Sequence, residues 1–519
     1  MSLIHRPEDL AFYTKLGVPP PTLSPMERRR RRLMFRNERV LYRTTCAATG
    51  KSILSIYAPT KGATVYEFNY WHSDAWNPLI YSRDFDFSRP FFEQWKQLFD
   101  VVPKMNLVND SFCENSEFVN QVGHCKNCYM IFRADTCENT LYSHALLNLQ
   151  ECLDCEFMIE SELCYECTNC KKGYRLLYSE DSERCTDSAF LIDCKGCTHC
   201  LGCFGLRNQN YMIFNQAYTQ QEYEEKYKQY ALHTLSGRAK FIEEFENWIA
   251  DRRPEVNVNS AIENSSGVYL ENTTNCHMCE FVLNAENSAY ISTVYNAKDS
   301  VDHDIWGNNT EMVYQCITVG ENAQTIAFCF DVWHNVHDIW YSSLCTNSKH
   351  LFGCVGLKNK EYCVFNKQYS EAEYHDLVAR IKQHMISTGE WGEFFPAWVS
   401  PFAYNESIAQ EMFPLTKEEA LQNGFTWFDD SAQATVPTAA GYTPEDDIFV
   451  YQDQGRAAGL LKEILMCEET KKPFKIMPQE LAFYLKLGIP VPRLSHNARY
   501  TARRGKLRRL RYEENIDSL

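Results

Sequence analysis

No stretch of this 519-residue chain reaches the roughly 18 consecutive apolar residues that a membrane-spanning helix needs. Residues 1–17 carry acidic side chains and no apolar run, so they do not read as a secretion signal. A glycine-rich phosphate loop, a nucleophile elbow and a zinc-protease motif are all missing from the sequence. These absences remove the best-marked nucleotide-binding, hydrolase and protease classes. They favour a cytoplasmic, non-enzymatic protein with no resident cofactor. An even cysteine count is missing too. The 23 cysteines cannot all pair, which suits free thiols or metal ligands in a reducing compartment better than a disulfide framework.

What is present is charge asymmetry and repetition. The net charge is −16, yet residues 1–45 carry ten Lys or Arg against four Asp or Glu. Residues 471–512 carry twelve against one. Two basic ends therefore flank an acidic body. The runs Arg28, Arg29, Arg30, Arg31, Arg32 and Arg503, Arg504, Lys506, Arg508, Arg509, Arg511 are the candidate anion-binding residues. Nucleic acid or an acidic protein would suit them, with Tyr42, Tyr500 and Tyr512 as interleaved aromatics. The protein's own acidic body would suit them equally.

Residues from about 113 to 232 reappear near 264 to 383 at a constant offset of 151. Cys203-Phe-Gly-Leu-Arg-Asn208 matches Cys354-Val-Gly-Leu-Lys-Asn359, and Phe214-Asn215 matches Phe365-Asn366. Thr219 with Glu222 and Ser370 with Glu373 form the same helix-opening capping box. The ends are related as well: Asp9-Leu-Ala-Phe-Tyr13 matches Glu480-Leu-Ala-Phe-Tyr484, 471 residues on.

Within the first copy every third residue from Cys113 to Leu206 is small or aliphatic, never charged or aromatic. Such positions face a narrow dry interior. The same class also stacks at a period of 15, as at Cys125, Thr140, Cys155, Cys170, Cys185 and Cys200, which predicts about 15 residues per coil of a β-solenoid. The expected fold is mainly β with helical caps: two tandem β-solenoid lobes plus small α/β terminal modules. The boundaries are a basic N-terminal module and aromatic-rich domain at 1–100, lobes with capping helices at 104–253 and 256–390, an irregular segment and linker at 391–450, and a basic module at 451–519.

The second copy keeps the ladder at its ends and loses it between about His303 and Trp333. His303, Trp306, Asp331, Trp333, His334 and His337 make that break a candidate ligand patch. Cys164, Cys167, Cys170, Cys194, Cys197, Cys200 and Cys203 have spacing that zinc or an iron–sulfur cluster also uses. The same spacing continues through Leu, Ser and Met, which favours packing. A carbohydrate-active solenoid is a third reading, though no convincing acid pair stands out.

The whole pattern resembles an uncharacterised family of candidate-phylum bacteria in which zinc-ribbon-like ends flank duplicated cysteine-rich repeats. The resemblance rests on the closing motifs at Cys203–Asn208 and Phe214-Asn215 and on the end modules. It implies a ribbon at each end and no particular activity. Cys467-Glu-Glu-Thr470 stands where such a module has Cys-x2-Cys, and Ser495-His-Asn-Ala498 and Ser24-Pro-Met-Glu27 stand at the other half-site. Only Cys467 is a good ligand among these, so zinc is not expected there. A scaffold or binding protein, with homo-oligomerisation open, is the reading that follows.

Overall fold

The computed structural model describes residues 5–110, 112–250, 252, 258–429 and 441–507. Those residues form a mixed α/β protein rather than the mainly β one expected, with twelve α-helices and two broad, mostly parallel sheets. The chain divides into two units, each discontinuous. One joins the N-terminal 107 residues to the second repeat, through Asp429. The other joins the first repeat, from Val108, to the C-terminal module.

The first repeat carries a nine-stranded sheet whose strands lie in chain order, from Asn120–Gly123 to Gln216–Ala217. All its pairings are parallel until the last hairpin. Asn120 faces Phe132, Phe132 faces His144 and His144 faces Glu156. The chain thus returns to register every 12 residues, and side-chain hydrogen bonds such as Ser143 to the Cys155 amide span the same interval. The predicted 15-residue interval is wrong. A period-three ladder is compatible with any multiple of three, and backbone pairing decides which multiple closes.

The backbone explains the twelve. From Asn115 to Phe214 every third residue sits in the left-handed region, with φ between +44° and +67°. Each triplet therefore holds one left-handed residue, and four triplets separate residues paired on neighbouring strands. The ladder of small residues fills the inside. Cys125, Cys152, Cys155, Cys167, Cys170, Cys194 and Cys200 are all fully buried, among Ile131, Met158, Leu176 and Leu191. Thiols point at backbone: Cys155 Sγ lies 3.5 Å from the Leu153 carbonyl and 3.6 Å from that of Cys164.

The second repeat carries eleven strands in chain order, Ser260–Glu263 to Lys367–Gln368. Its ladder is not lost between His303 and Trp333. Register there becomes 13: Tyr295 faces Asn308, Gly307 faces Gly320 and Ala323 faces Val336. The buried series then advances by four, from Val319 to Ala323 and from Val332 to Val336, before returning to threes. Three one-residue insertions also correct the constant offset. Tyr142 and Asp154 correspond to Tyr290 and Asp302, 148 residues on, whereas Gly202 and Phe214 correspond to Gly353 and Phe365, 151 on.

The interior predicts a narrow tolerance. Cys155→Ala should cost about 1–2 kcal/mol, and Cys155→Leu about 1–3 kcal/mol through overpacking. At Gly353, φ is +66° and an added Cβ would lie 2.4 Å from the Phe365 ring. Gly353→Ala should therefore lower the denaturation midpoint more than Cys155→Ala, as measured by urea titration.

Candidate functional site: two arginine helices on acidic columns

The candidate anion-binding run lies on the helix Pro25–Leu33, opened by a Ser24–Glu27 capping box. Its arginines point at the second repeat within the same unit. Arg28 Nε donates to Asp302 at 2.7 Å, and its other arm reaches the Leu23 carbonyl at 2.8 Å. Arg29 bridges Glu280 at 2.6 Å and Asp304 at 3.1 Å. Arg32 bridges Asp302 at 3.1 Å and Asp304 at 2.8 Å. Asp302, Asp304 and Arg32 are fully buried. Arg31 pairs with Glu393 at 3.0 Å and Arg30 lies over the Phe425 ring.

The other unit repeats the arrangement. Helix His496–Lys506 places Arg499 Nε 2.7 Å and Arg503 Nη1 2.9 Å from the two oxygens of Asp154. Arg499 also reaches the Leu494 carbonyl at 2.7 Å, as Arg28 reaches that of Leu23. Arg504 meets Glu156 at 2.6 Å and Lys506 meets Glu180 at 3.3 Å. The column beneath is equivalent too. Arg28 lies over Tyr290 and Arg499 over Tyr142, at 5.5 and 5.6 Å. The Tyr290 hydroxyl donates to Asp9 at 3.1 Å, and that of Tyr142 to Glu480 at 3.3 Å. Seven of the eleven candidate basic residues are thus in ion pairs within their own unit and an eighth lies over a ring. Arg508, Arg509 and Arg511 lie outside the described residues.

Burial and charge compete in these columns. Burial raises the Asp154 carboxyl despite Arg499 and Arg503, and raises that of Glu480 despite Arg499. Burial would raise Glu156 as well, but Arg504 and His144 overcome it and bring it down to about 2. Asp331 sits 3.6 Å from Arg36, and burial pushes it up to about 6 against that attraction.

The candidate ligand patch comes together only in part. Trp306, Trp333 and His334 are neighbours, with ring centroids 5.7 to 6.3 Å apart. His303 is fully buried; its Nε2 lies 3.1 Å from the Trp306 carbonyl, and burial lowers its pKa to about 4. Asp331 turns to Arg36, and His337 packs against His350. The sequence reading missed a second grouping there. His350 Nδ1 lies 2.8 Å from Asp338 and its ring stacks on Tyr362. His199 stacks on Tyr211 in the equivalent place of the first repeat. It also missed the partners of the arginines, because the Tyr142–Asp154 and Tyr290–Asp302 spacing of 12 disappears when the chain is counted in fifteens.

Among the described residues no three His, Cys, Asp or Glu side chains converge as a metal ion requires. Cys467, Thr470, Ser495 and Ala498 of the C-terminal module offer one thiol, two hydroxyls and a methyl, a donor set that does not fit zinc. Burial opposes ionisation of Cys467, yet Ser495 and Thr470 donors bring its thiol down to about 6. Cys46 occupies a similar hairpin in the other unit, where its sulfur accepts the Glu67 amide at 3.3 Å. No helix among the described residues is long and apolar enough to cross a membrane.

No family model matches the chain, and no curated protein does. A solved structure provisionally named an acetyltransferase, from Desulfovibrio desulfuricans G20, is 9% identical over 51% of this chain and 71% of that one. Its TM-score of 0.11 carries no argument about fold or activity.

Two predictions follow from the charges. Removing one member of a buried pair leaves the other uncompensated, so Arg503→Met should destabilise its unit by about 3–5 kcal/mol in urea titrations. At Asp331 the raised pKa means the folded state keeps a proton that the unfolded state loses between pH 3.8 and about 6. That contribution is fully present below pH 3.8 and lost as pH rises through about 6. The stability of Asp331→Asn relative to wild type should therefore rise across that window, by up to about 3 kcal/mol.

Proposed function

We propose that the protein is a non-enzymatic scaffold or binding protein made of two β-solenoids with 12- or 13-residue coils. Each is clasped by an arginine helix from a chain terminus. The observation that carries this reading is the inward use of the arginines. Guanidinium groups buried against Asp302, Asp304, Asp154 and Glu156 serve the fold and are not offered to a polyanion. The in-order parallel strands, the 12-residue register and the left-handed residue at every third position support the solenoid. The thiols fit its bore as small hydrophobes that donate to carbonyls.

The outside of the second solenoid offers an ordered surface for a partner. Asn272, Asn284, Asn296 and Asn308 hydrogen-bond in sequence, and Asn309, Asn322, Asn335 and Asn347 continue the column. Asn272, Asn284, Asn296, Asn309, Asn322 and Asn335 each spend one amide donor on the next asparagine and keep another for a ligand, while Asn308 and Asn347 accept.

The test is nucleic-acid binding by a chain ending at Leu507, followed by fluorescence anisotropy with a labelled single-stranded 30-mer. The expected result is no saturable, salt-dependent binding. Salt-dependent binding that weakens in Arg30→Ala/Arg31→Ala would overturn the inward reading of the arginines. Metal analysis of the same preparation should find no stoichiometric zinc or iron. Finding either would move the thiols from packing to ligation.

A further inference from the structure

The order of the chain and the pairing of its parts disagree. The N-terminal module runs directly into the first repeat at Leu107 and Val108, yet it packs on the second. The C-terminal module follows the second repeat, yet it packs on the first. Every module is therefore a sequence neighbour of the repeat it does not clasp. We propose that the same clasps also close between two copies of this chain, the C-terminal module of one docking on the first repeat of the other. A second copy is the partner the observations favour, because it brings the cognate site and the cognate helix together.

The chemistry of the sites supports exchange. With the helix in place Asp154 and Glu156 are fully buried and paired with Arg499, Arg503 and Arg504; without it the two carboxylates have no guanidinium opposite them. The contacts are the same whether the helix comes from its own chain or another, which is the condition under which identical elements exchange.

The sites also encode which helix they accept. Asp302 and Asp154 each take two arginines at matching positions, Arg28 with Arg32 and Arg499 with Arg503. The remaining acids do not follow that match. Asp304 is shared by Arg29 and Arg32, but Glu280 is served by Arg29, whose counterpart 471 residues on is Tyr500. Glu156 is served by Arg504, whose counterpart is Leu33. A module on the wrong repeat would leave a buried carboxylate facing a tyrosine or a leucine. Exchange is thus confined to cognate pairs, and a reciprocal dimer satisfies every site. The proposal rests on these contacts and not on the scaffold reading.

The experiment uses full-length chains carrying two different affinity tags, unfolded together in urea and refolded over a range of concentrations. Capture on one tag should recover the other, in a species of two chains whose fraction rises with concentration. Absence of co-capture at every concentration overturns the proposal. To place the contact, Lys506→Cys on one chain is mixed with Glu180→Cys on the other, then treated with a short bis-maleimide. These two side chains meet at 3.3 Å near the surface, so neither change disturbs the buried charges. A covalent product joining the two different chains is expected. Co-capture without that product would show association through another surface and would also overturn the proposal.

Discussion

A left-handed backbone costs most side chains about 1–2 kcal/mol relative to the ordinary helical region. Here that conformation recurs at every third residue from Asn115 to Phe214. Nothing local rewards it, since Met130, Tyr142, Phe157 and Phe190 adopt it alongside asparagines and glycines. The compensation comes from neighbours. When every triplet bends alike, amides and carbonyls of one 12-residue step meet those of the next, and like side chains stack. The strain and the pairing are one arrangement, which has to be kept for the whole length or abandoned. The triplet bend also fixes what may lie inside. The buried positions between bends hold Cys, Ser, Ala or a single aliphatic.

Charge burial sets the second level of organisation. The arginine helices hold the repeats through guanidiniums matched to carboxylates of fixed columns, beside the buried Leu33 and Tyr500. Such contacts are poor sources of net stability, because desolvation takes back most of the attraction. Their value is geometric. Two arginines on one aspartate, with a tyrosine beneath and a second acid beside, admit one helix orientation and one position along the column. That the arrangement occurs twice, with different residues serving the second acid, gives each unit its own key.

Much of this was legible in the sequence. The period-three ladder of the first copy and the capping boxes at Thr219 and Ser370 appear in the structure where the residues placed them, and the duplication appears with an offset that shifts from 148 to 151. The count of residues per step was not legible. Cysteines at Cys125, Cys155 and Cys170 suggest fifteens only because any inward position accepts a cysteine, so their spacing records chance among equivalent sites. The mistake then hid the site. Tyr142 lies directly beside Asp154 only when the interval is twelve, and the arginines have no visible destination until it is. The break at His303–Trp333 misled for a related reason: one inserted residue per step moves the inward class, and a fixed reading frame mistakes displacement for loss.

Those insertions behave like a defect in a lattice. A lone 13-residue step between steps of twelve would leave a mismatched boundary on each side. Three in a row still have only two such boundaries, because inside the run Gly307 meets Gly320 with the same extra residue on both. The cost of the fault therefore belongs to its edges and not to its length. A further 13-residue step added within the run would create no new mismatch, whereas removing one residue from its middle step would create two. The wide steps of this repeat are thus free to multiply as a block and resist being altered one at a time.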